Sequence, residues 1–205
     1  MKKLLIATTN PGKVREYSEF LKDLPVECVS LKDVGITTEV EETGKTYKEN
    51  AILKSLFYSK ESLLPAISDD GGLEIAALGG KPGLYSRRWV GGEGADEDIV
   101  KKMTQVSKEL PDNNRKAVFK IIVAFSLPNG KVWTSSGRVA GIIAKKPILK
   151  LLTGYPYRSF LYLPTLKKYY HESQLTVSEQ RKYNHRRKAL IKLIPTMKKV
   201  LSIKY

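Results

Sequence analysis

The chain has 205 residues, 41% of them hydrophobic, which is enough to bury a sizeable core and ordinary for a water-soluble protein. Its longest apolar runs, such as Ile121 to Phe125, are far too short to span a bilayer, no signal-peptide segment follows Met1-Lys2-Lys3, and the single cysteine excludes an intrachain disulfide, so the expectation is a cytoplasmic protein with no membrane partner. The net charge of +15 is uneven: residues 1–136 carry 20 Lys/Arg against 19 Asp/Glu and residues 137–205 carry 16 against 2, which fits either a solvated basic face or a polyanionic partner.

Taken in order, Lys3 to Thr8 reads as a buried strand and Pro11 to Leu24 as an amphipathic helix with Val14, Tyr17, Phe20 and Leu21 on one side. The intervening Thr8-Thr9-Asn10-Pro11-Gly12-Lys13 puts backbone N–H groups and a lysine where a phosphate could sit, although Asn10 as a helix cap explains it equally well. It is not a Walker loop, because Ala7 stands at the first glycine and Val14 follows the lysine. Val26 to Leu31 is a second strand. Glu41-Glu42-Thr43-Gly44-Lys45-Thr46 leads into a helix from Tyr47 to about Leu63, with Ala51, Ile52, Leu56 and Tyr58 as core candidates.

Next, Leu64, Ala66 and Ile67 run into Ser68-Asp69-Asp70-Gly71-Gly72, which is either a capped turn or a pair of carboxylates placed for chemistry. Gly91 to Gly94 is a loop, Ala95 to Leu110 a helix with Ile99, Val100, Met103 and Val106 inside, and Arg115 to Leu127 and Lys131 to Ala140 two strands joined by a hairpin at Pro128-Asn129-Gly130. From Lys146 to Tyr183 the periodicity weakens into interleaved aromatic and basic residues. Asn184 is expected to cap a closing helix from about His185 to Ser202, carrying Ala189, Leu190, Leu193 and Ile194. No repeat or linker interrupts the chain, so a single domain over 1–205 is expected.

Two histidines and one cysteine are too few for a structural zinc site, and neither a Gly-x-Ser-x-Gly elbow nor a dinucleotide fingerprint is present. What remains is rich in carboxylates: Glu41, Glu42, Glu49, Asp69, Asp70 and Glu74. Such hard oxygen ligands suit Mg²⁺, and with Lys13 and Lys54 they point to hydrolysis of a phosphoanhydride.

Five blocks then carry a resemblance: Thr8-Thr9-Asn10-x-x-Lys13; Glu41-Glu42-Thr43-Gly44-x-Thr46-x-x-Glu49-Asn50-Ala51-x-x-Lys54; Asp69-Asp70-x-Gly72-Leu73; Leu78-Gly79-Gly80-x-Pro82-Gly83-x-Tyr85-Ser86; and His185-Arg186-x-x-Ala189. In order and spacing they resemble the inosine triphosphate pyrophosphatase family, which hydrolyses non-standard purine nucleoside triphosphates (ITP, dITP, XTP) to the monophosphate and pyrophosphate. The resemblance implies an elongated, two-lobed α/β fold with a central twisted mixed sheet flanked by helices and a cleft between the lobes, usually as a homodimer. It assigns Thr8, Thr9, Asn10 and Lys13 to the triphosphate and Lys54 to a phosphate. Glu41 and Asp70 fall to Mg²⁺, Asp70 doubles as catalytic base, and His185 with Arg186 falls to the O6 side of the purine, where donors favour a keto base.

The chain also departs from that pattern. Gly71 replaces a serine whose hydroxyl would help to hold substrate, and Gly154-Tyr155-Pro156-Tyr157-Arg158-Ser159 replaces Gly-Phe-Gly-Tyr-Asp-Pro. Tyr155 keeps a ring able to stack on a base and Tyr157 stays as a substrate candidate, but Pro156 removes an N–H and Arg158 reverses a charge. Gln180 stands at a lysine position and Asn184 at a serine. The alternative reading is a non-catalytic nucleotide- or RNA-binding descendant that uses the basic, aromatic region 145–188.

Overall fold

The computed structural model describes residues 1–91, 95–148 and 150–203. Its elements are β1 (Lys2–Ile6), α1 (Pro11–Leu21), β2 (Val26–Ser30), α2 (Tyr47–Ser62), β3 (Ala66–Ile75), α3 (Asp96–Glu109), β4 (Lys116–Ser126), β5 (Val132–Ile143), β6 (Leu161–Leu163), β7 (Lys168–Tyr169), α4 (Val177–Tyr183) and α5 (His185–Val200). The strands form one mixed sheet in the order β2-β1-β3-β4-β5-β6-β7. Pairing of β1 with β2 and β3 is parallel, as helical crossovers require, whereas β6 pairs antiparallel with both β5 and β7. The fold is therefore α/β with a mixed sheet flanked by helices, as expected. Three positions of the loop expected at Gly91 to Gly94, residues 92–94, lie outside the described residues.

Two compact units interleave along the chain, one made of residues 1–70, 121–137 and 186–205, the other of 71–120 and 138–185. In the first unit the unbroken apolar run of β1 is explained by burial on both faces. Leu4 and Ile6 pack with Tyr17 and Leu21 of α1 and with Ala189, Leu190, Leu193 and Met197 of α5, while Leu5 and Ala7 pack with Val29, Leu31 and Tyr58. Full burial of each such aliphatic side chain stabilises the fold by about 1.5–3 kcal/mol.

Helix α2 corrects one expectation. Ile52 and Leu56 are only half-buried, whereas Asn50, Ala51, Ser55, Tyr58 and Ser59 form its inner face. Small side chains on this face let the sheet approach the helix backbone closely enough for strand hydroxyls to reach its carbonyls: Ser68 Oγ of β3 donates to Ala51 O (2.6 Å) and Ser126 Oγ of β4 to Ser55 O (2.6 Å). Hydrophobic periodicity cannot reveal a helix held in this way.

The second unit has its own core, including Leu73, Ile75, Ile99, Met103, Phe119, Phe160, Leu161 and Tyr170. The weakly patterned stretch after 146 adds to it through the short strands β6 and β7, and Pro156 opens a 3₁₀ turn, where its missing N–H has no helical partner to lose. The buried Arg115 guanidinium is held by three carbonyls, donating to Ser107 O (2.6 Å) and Leu110 O (2.8 Å) at the end of α3 and to Ile143 O (2.7 Å). The cation meets the negative end of the helix dipole. Arg115→Met should therefore lower the unfolding free energy by about 2–4 kcal/mol in urea titration, since it leaves those carbonyls without donors.

Candidate active site

The candidate residues fall into two groups, one in each unit. In the first unit the β1–α1 turn forms because Asn10 caps α1, its Oδ1 accepting from Gly12 N (2.8 Å) and Lys13 N (3.3 Å). The amides that the sequence offers to a phosphate are thus already taken by Asn10. Thr8 Oγ1 accepts from Asn10 N at 3.2 Å, and Thr9 is exposed.

The turn expected at Ser68 to Gly72 does not form: these residues run inside β3, so Asp69 is a strand residue held from the side by other elements. Its carboxylate, with no exposed side-chain surface, receives the Lys13 ammonium on one oxygen and both Tyr17 OH (2.7 Å) and Arg186 Nε (2.8 Å) on the other. Burial alone would raise its pKa, but Lys13 and Arg186 outweigh that and hold it well below the usual carboxylate range. Burial likewise lowers the Lys13 pKa, against the pull of Asp69. Tyr17, assigned to the core from its spacing, is buried as expected and also serves the site. Arg186 spends its Nε on Asp69 and its Nη1 on Glu16 (3.1 Å), a role that the motif does not announce.

Asp70, 8% exposed, accepts from Asn50 Nδ2 at 3.1 Å. Burial raises its pKa and the negative charge of Glu42 adds to that, while Lys54, Lys13 and the Asn50 hydrogen bond work the other way. Glu42 pairs with Lys54 Nζ at 2.5 Å. In the sequence Asn50 is only one letter of the second block, yet it joins two parts of the site, since its Oδ1 accepts from Gly44 N (2.7 Å). Glu49 is structural: with Thr46 it forms a capping box, and its Oε2 also accepts from Lys45 N (2.6 Å).

Gly44 is needed for steric reasons, because a Cβ there would lie 2.5 Å from Asn50 Oδ1, 2.7 Å from Glu49 Cβ and 2.9 Å from Asn50 N. Gly44→Ala should displace Asn50 and cost about 1–3 kcal/mol, read as a lowered midpoint in thermal or urea unfolding.

In the second unit, Gly71 lies in β3 and Gly72 beside it is fixed by packing, since a Cβ would collide with Gly83 O and Ser86 Oγ. Ser86 Oγ accepts from Leu73 N (3.1 Å) and donates to Gly83 O (2.6 Å), which accounts for the Gly83-x-Tyr85-Ser86 spacing. Tyr157 is a core residue whose hydroxyl donates to Ser86 O at 2.6 Å. Asp96 accepts from both Arg87 and the Gly154 amide, tying down the loop that carries Tyr155. The Tyr155 ring is covered by the Arg158 guanidinium, 4.0 Å from its centroid. Arg158 also lies 5.1 Å from the Tyr170 ring centroid, so the reversed charge is accommodated between two aromatic faces. His185 is buried, with Nδ1 2.9 Å from Tyr170 OH and its ring stacked on Phe119.

Glu41 is exposed, and it is the charge of Glu42 that acts on Asp70. Among the described residues no cluster of three or more His, Cys, Asp or Glu could hold a metal ion. The donor set still suits Mg²⁺, which takes only one or two protein carboxylates and completes its shell with water and phosphate oxygens; a buried Asp70 facing a second carboxylate charge is such a position.

An α/β fold that gathers Lys13, Lys54 and Arg186 around two aspartates in the middle of β3 has the balance of cations and carboxylates that suits a hydrolase acting on a multiply anionic substrate. The chain belongs to the Ham1 family, whose family model matches residues 4–196. It is 38% identical over 193 residues to a dITP/XTP pyrophosphatase of Bacillus subtilis, covering 94% of this chain and 96% of the relative. It is 37% identical over 196 residues to a dITP/XTP pyrophosphatase of Thermus thermophilus, covering 96% and 92%. Among solved structures it is similar to a HAM1 protein from Coxiella burnetii (TM-score 0.78, 30% identity, 98% of this chain and 99% of that one) and to the Staphylococcus aureus Ham1 protein (TM-score 0.76, 32% identity, 94% and 96%). The resemblance read from the five blocks is borne out.

Proposed function

We propose that the chain is a nucleoside triphosphate pyrophosphohydrolase that removes non-standard purine nucleotides from the precursor pool, hydrolysing ITP, dITP and XTP to the monophosphate and pyrophosphate. The observation that carries this is Asp70, buried, held by Asn50 and set beside the cations Lys13 and Lys54. Its raised pKa suits a general base, which works best near the operating pH. The family relationship adds the substrate class, since the relatives are named dITP/XTP pyrophosphatases.

In this reading Asp70 takes a proton from the attacking water, a new bond forms from water oxygen to phosphorus, and the α–β anhydride bond breaks to release pyrophosphate. Lys13 and Lys54 neutralise the charge that develops on the phosphate oxygens, with Thr8, Thr9 and Asn10 at the phosphate end. Asp69 fixes the Lys13 ammonium in place. Asp70 with Glu41 or Glu42 would hold Mg²⁺, which when bound supplies further positive charge to the phosphates. His185 and Tyr155 are assigned to the base, and Gly71 leaves substrate one hydroxyl contact poorer. A homodimer and a cytoplasmic setting belong to the same reading; among the described residues no helix is long and apolar enough to cross a membrane.

The test is pyrophosphate release from ITP, dITP and XTP against ATP and GTP, with Mg²⁺ and with chelator. Release confined to the first three supports the reading, and no release from any of the five overturns it. The RNA-binding alternative loses ground because the basic residues after 136 are in part committed within the fold: Arg158 and Arg186 are buried, and Lys168 pairs with Glu179.

A further inference from the structure

His185 opens α5 at 2% exposure, its ring stacked on Phe119 with centroids 5.3 Å apart. A single hydroxyl serves it twice: Tyr170 OH lies 2.9 Å from His185 Nδ1 and accepts from the His185 backbone nitrogen at 3.3 Å. A backbone N–H can only donate, so that contact occupies one of the two hydroxyl lone pairs; a second donor on the same oxygen would crowd it, whereas the hydroxyl hydrogen directed at the Nδ1 lone pair would use both sides of the hydroxyl. The Arg158 guanidinium, 5.1 Å from the Tyr170 ring centroid, favours the same direction, because a cation over a phenol ring draws electron density from it and makes its hydroxyl the better donor.

We infer that Tyr170, backed by Arg158, is a positioning residue that donates to His185 Nδ1 and holds the imidazole in the tautomer with hydrogen on Nε2. Nε2 is then a fixed donor. Resting on the assignment of His185 to the base, this gives base choice a physical origin: a donor satisfies a keto oxygen and finds no partner in an exocyclic amino group. It also gives a role to Arg158, which stands where the family pattern has an acid.

The experiment is ¹⁵N NMR of the histidine rings in the full chain, where only two histidines exist and His171→Gln assigns the spectrum. The expected wild-type result is a protonated Nε2 and an unprotonated Nδ1 for His185. Tyr170→Phe keeps the ring and removes the hydroxyl, and should give a mixture of tautomers. Phe119→Leu, which removes the ring stacked on the imidazole and packed on Tyr170 but keeps the Tyr170 hydroxyl, should leave the tautomer intact. Hydrogen on Nδ1 in the wild type, an unchanged spectrum in Tyr170→Phe, or equal mixing in Phe119→Leu would each overturn the assignment. In parallel, the kcat/KM preference for ITP over ATP should fall about tenfold in Tyr170→Phe, mostly through the KM for ITP, as expected for one hydrogen bond. An unchanged preference would break the link to base choice while the tautomer stands. If the wild type releases no pyrophosphate at all, the substrate reading fails, and the ring assignment is judged on the spectrum alone.

Discussion

Replacing Asp70 with asparagine should reduce pyrophosphate release from ITP by about 10³-fold or more while the protein stays folded, because the amide cannot accept a proton from water yet fills the same volume. Asp70 is 8% exposed and accepts from Asn50 Nδ2 at 3.1 Å, and asparagine fills the same volume and still offers that nitrogen an acceptor oxygen, so the substitution removes a charge rather than a packing element. Desolvation already disfavours that charge in the folded state, so the variant should unfold at a urea concentration equal to or slightly above that of the wild type. A loss of turnover of less than tenfold in a folded Asp70→Asn protein would remove Asp70 from the role of base. A large loss with the midpoint unchanged separates chemistry from stability.

Asp69→Asn should do the reverse and act first on stability. The carboxylate compensates Lys13 and Arg186, whose side chains are 18% and 9% exposed, and its removal leaves two cations poorly solvated. The expected cost is about 3–5 kcal/mol, measured by urea unfolding at neutral pH. The effect has a defined pH dependence. Burial works to raise the Asp69 pKa, but Lys13 and Arg186 depress it below its unfolded value, so its contribution is present above the unfolded pKa of about 3.9 and declines as pH falls from there towards the folded pKa. The difference in stability between wild type and Asp69→Asn should therefore be constant from pH 8 down to about 5 and shrink below about 4. A difference that grows on acidification would contradict the arrangement around Asp69.

Much of this molecule can be read from its letters because local and global signals agree. Continuous apolar residues in β1, an amphipathic α1, the Pro128-Asn129-Gly130 turn and the periodic α3 each imply one structure, and each forms within a few residues of its expected bounds. Asp69, Asp70, Lys13 and Lys54 were likewise available as site candidates, since hydrolysis of a phosphoanhydride calls for carboxylates and cations, whereas His185 is named only by the resemblance of the ordered blocks.

What the letters could not decide is which side chain answers which. Tyr17 has the spacing of a core residue, and only the approach of β3 to α1 turns its hydroxyl onto Asp69. Arg186 and His185 are neighbours in one motif, yet the first goes to Asp69 and Glu16 in one unit and the second to Tyr170 and Phe119 in the other, because consecutive residues at a helix start point in different directions. Arg158 reads as a broken motif until the rings of Tyr155 and Tyr170, the second brought in from a separate strand region, are seen to flank it. Sequence alone determined the elements, the class of chemistry and the residue types. Hydrogen bonds and ion pairs between distant segments are set by directions that no spacing along the chain encodes, and these only the tertiary structure decided.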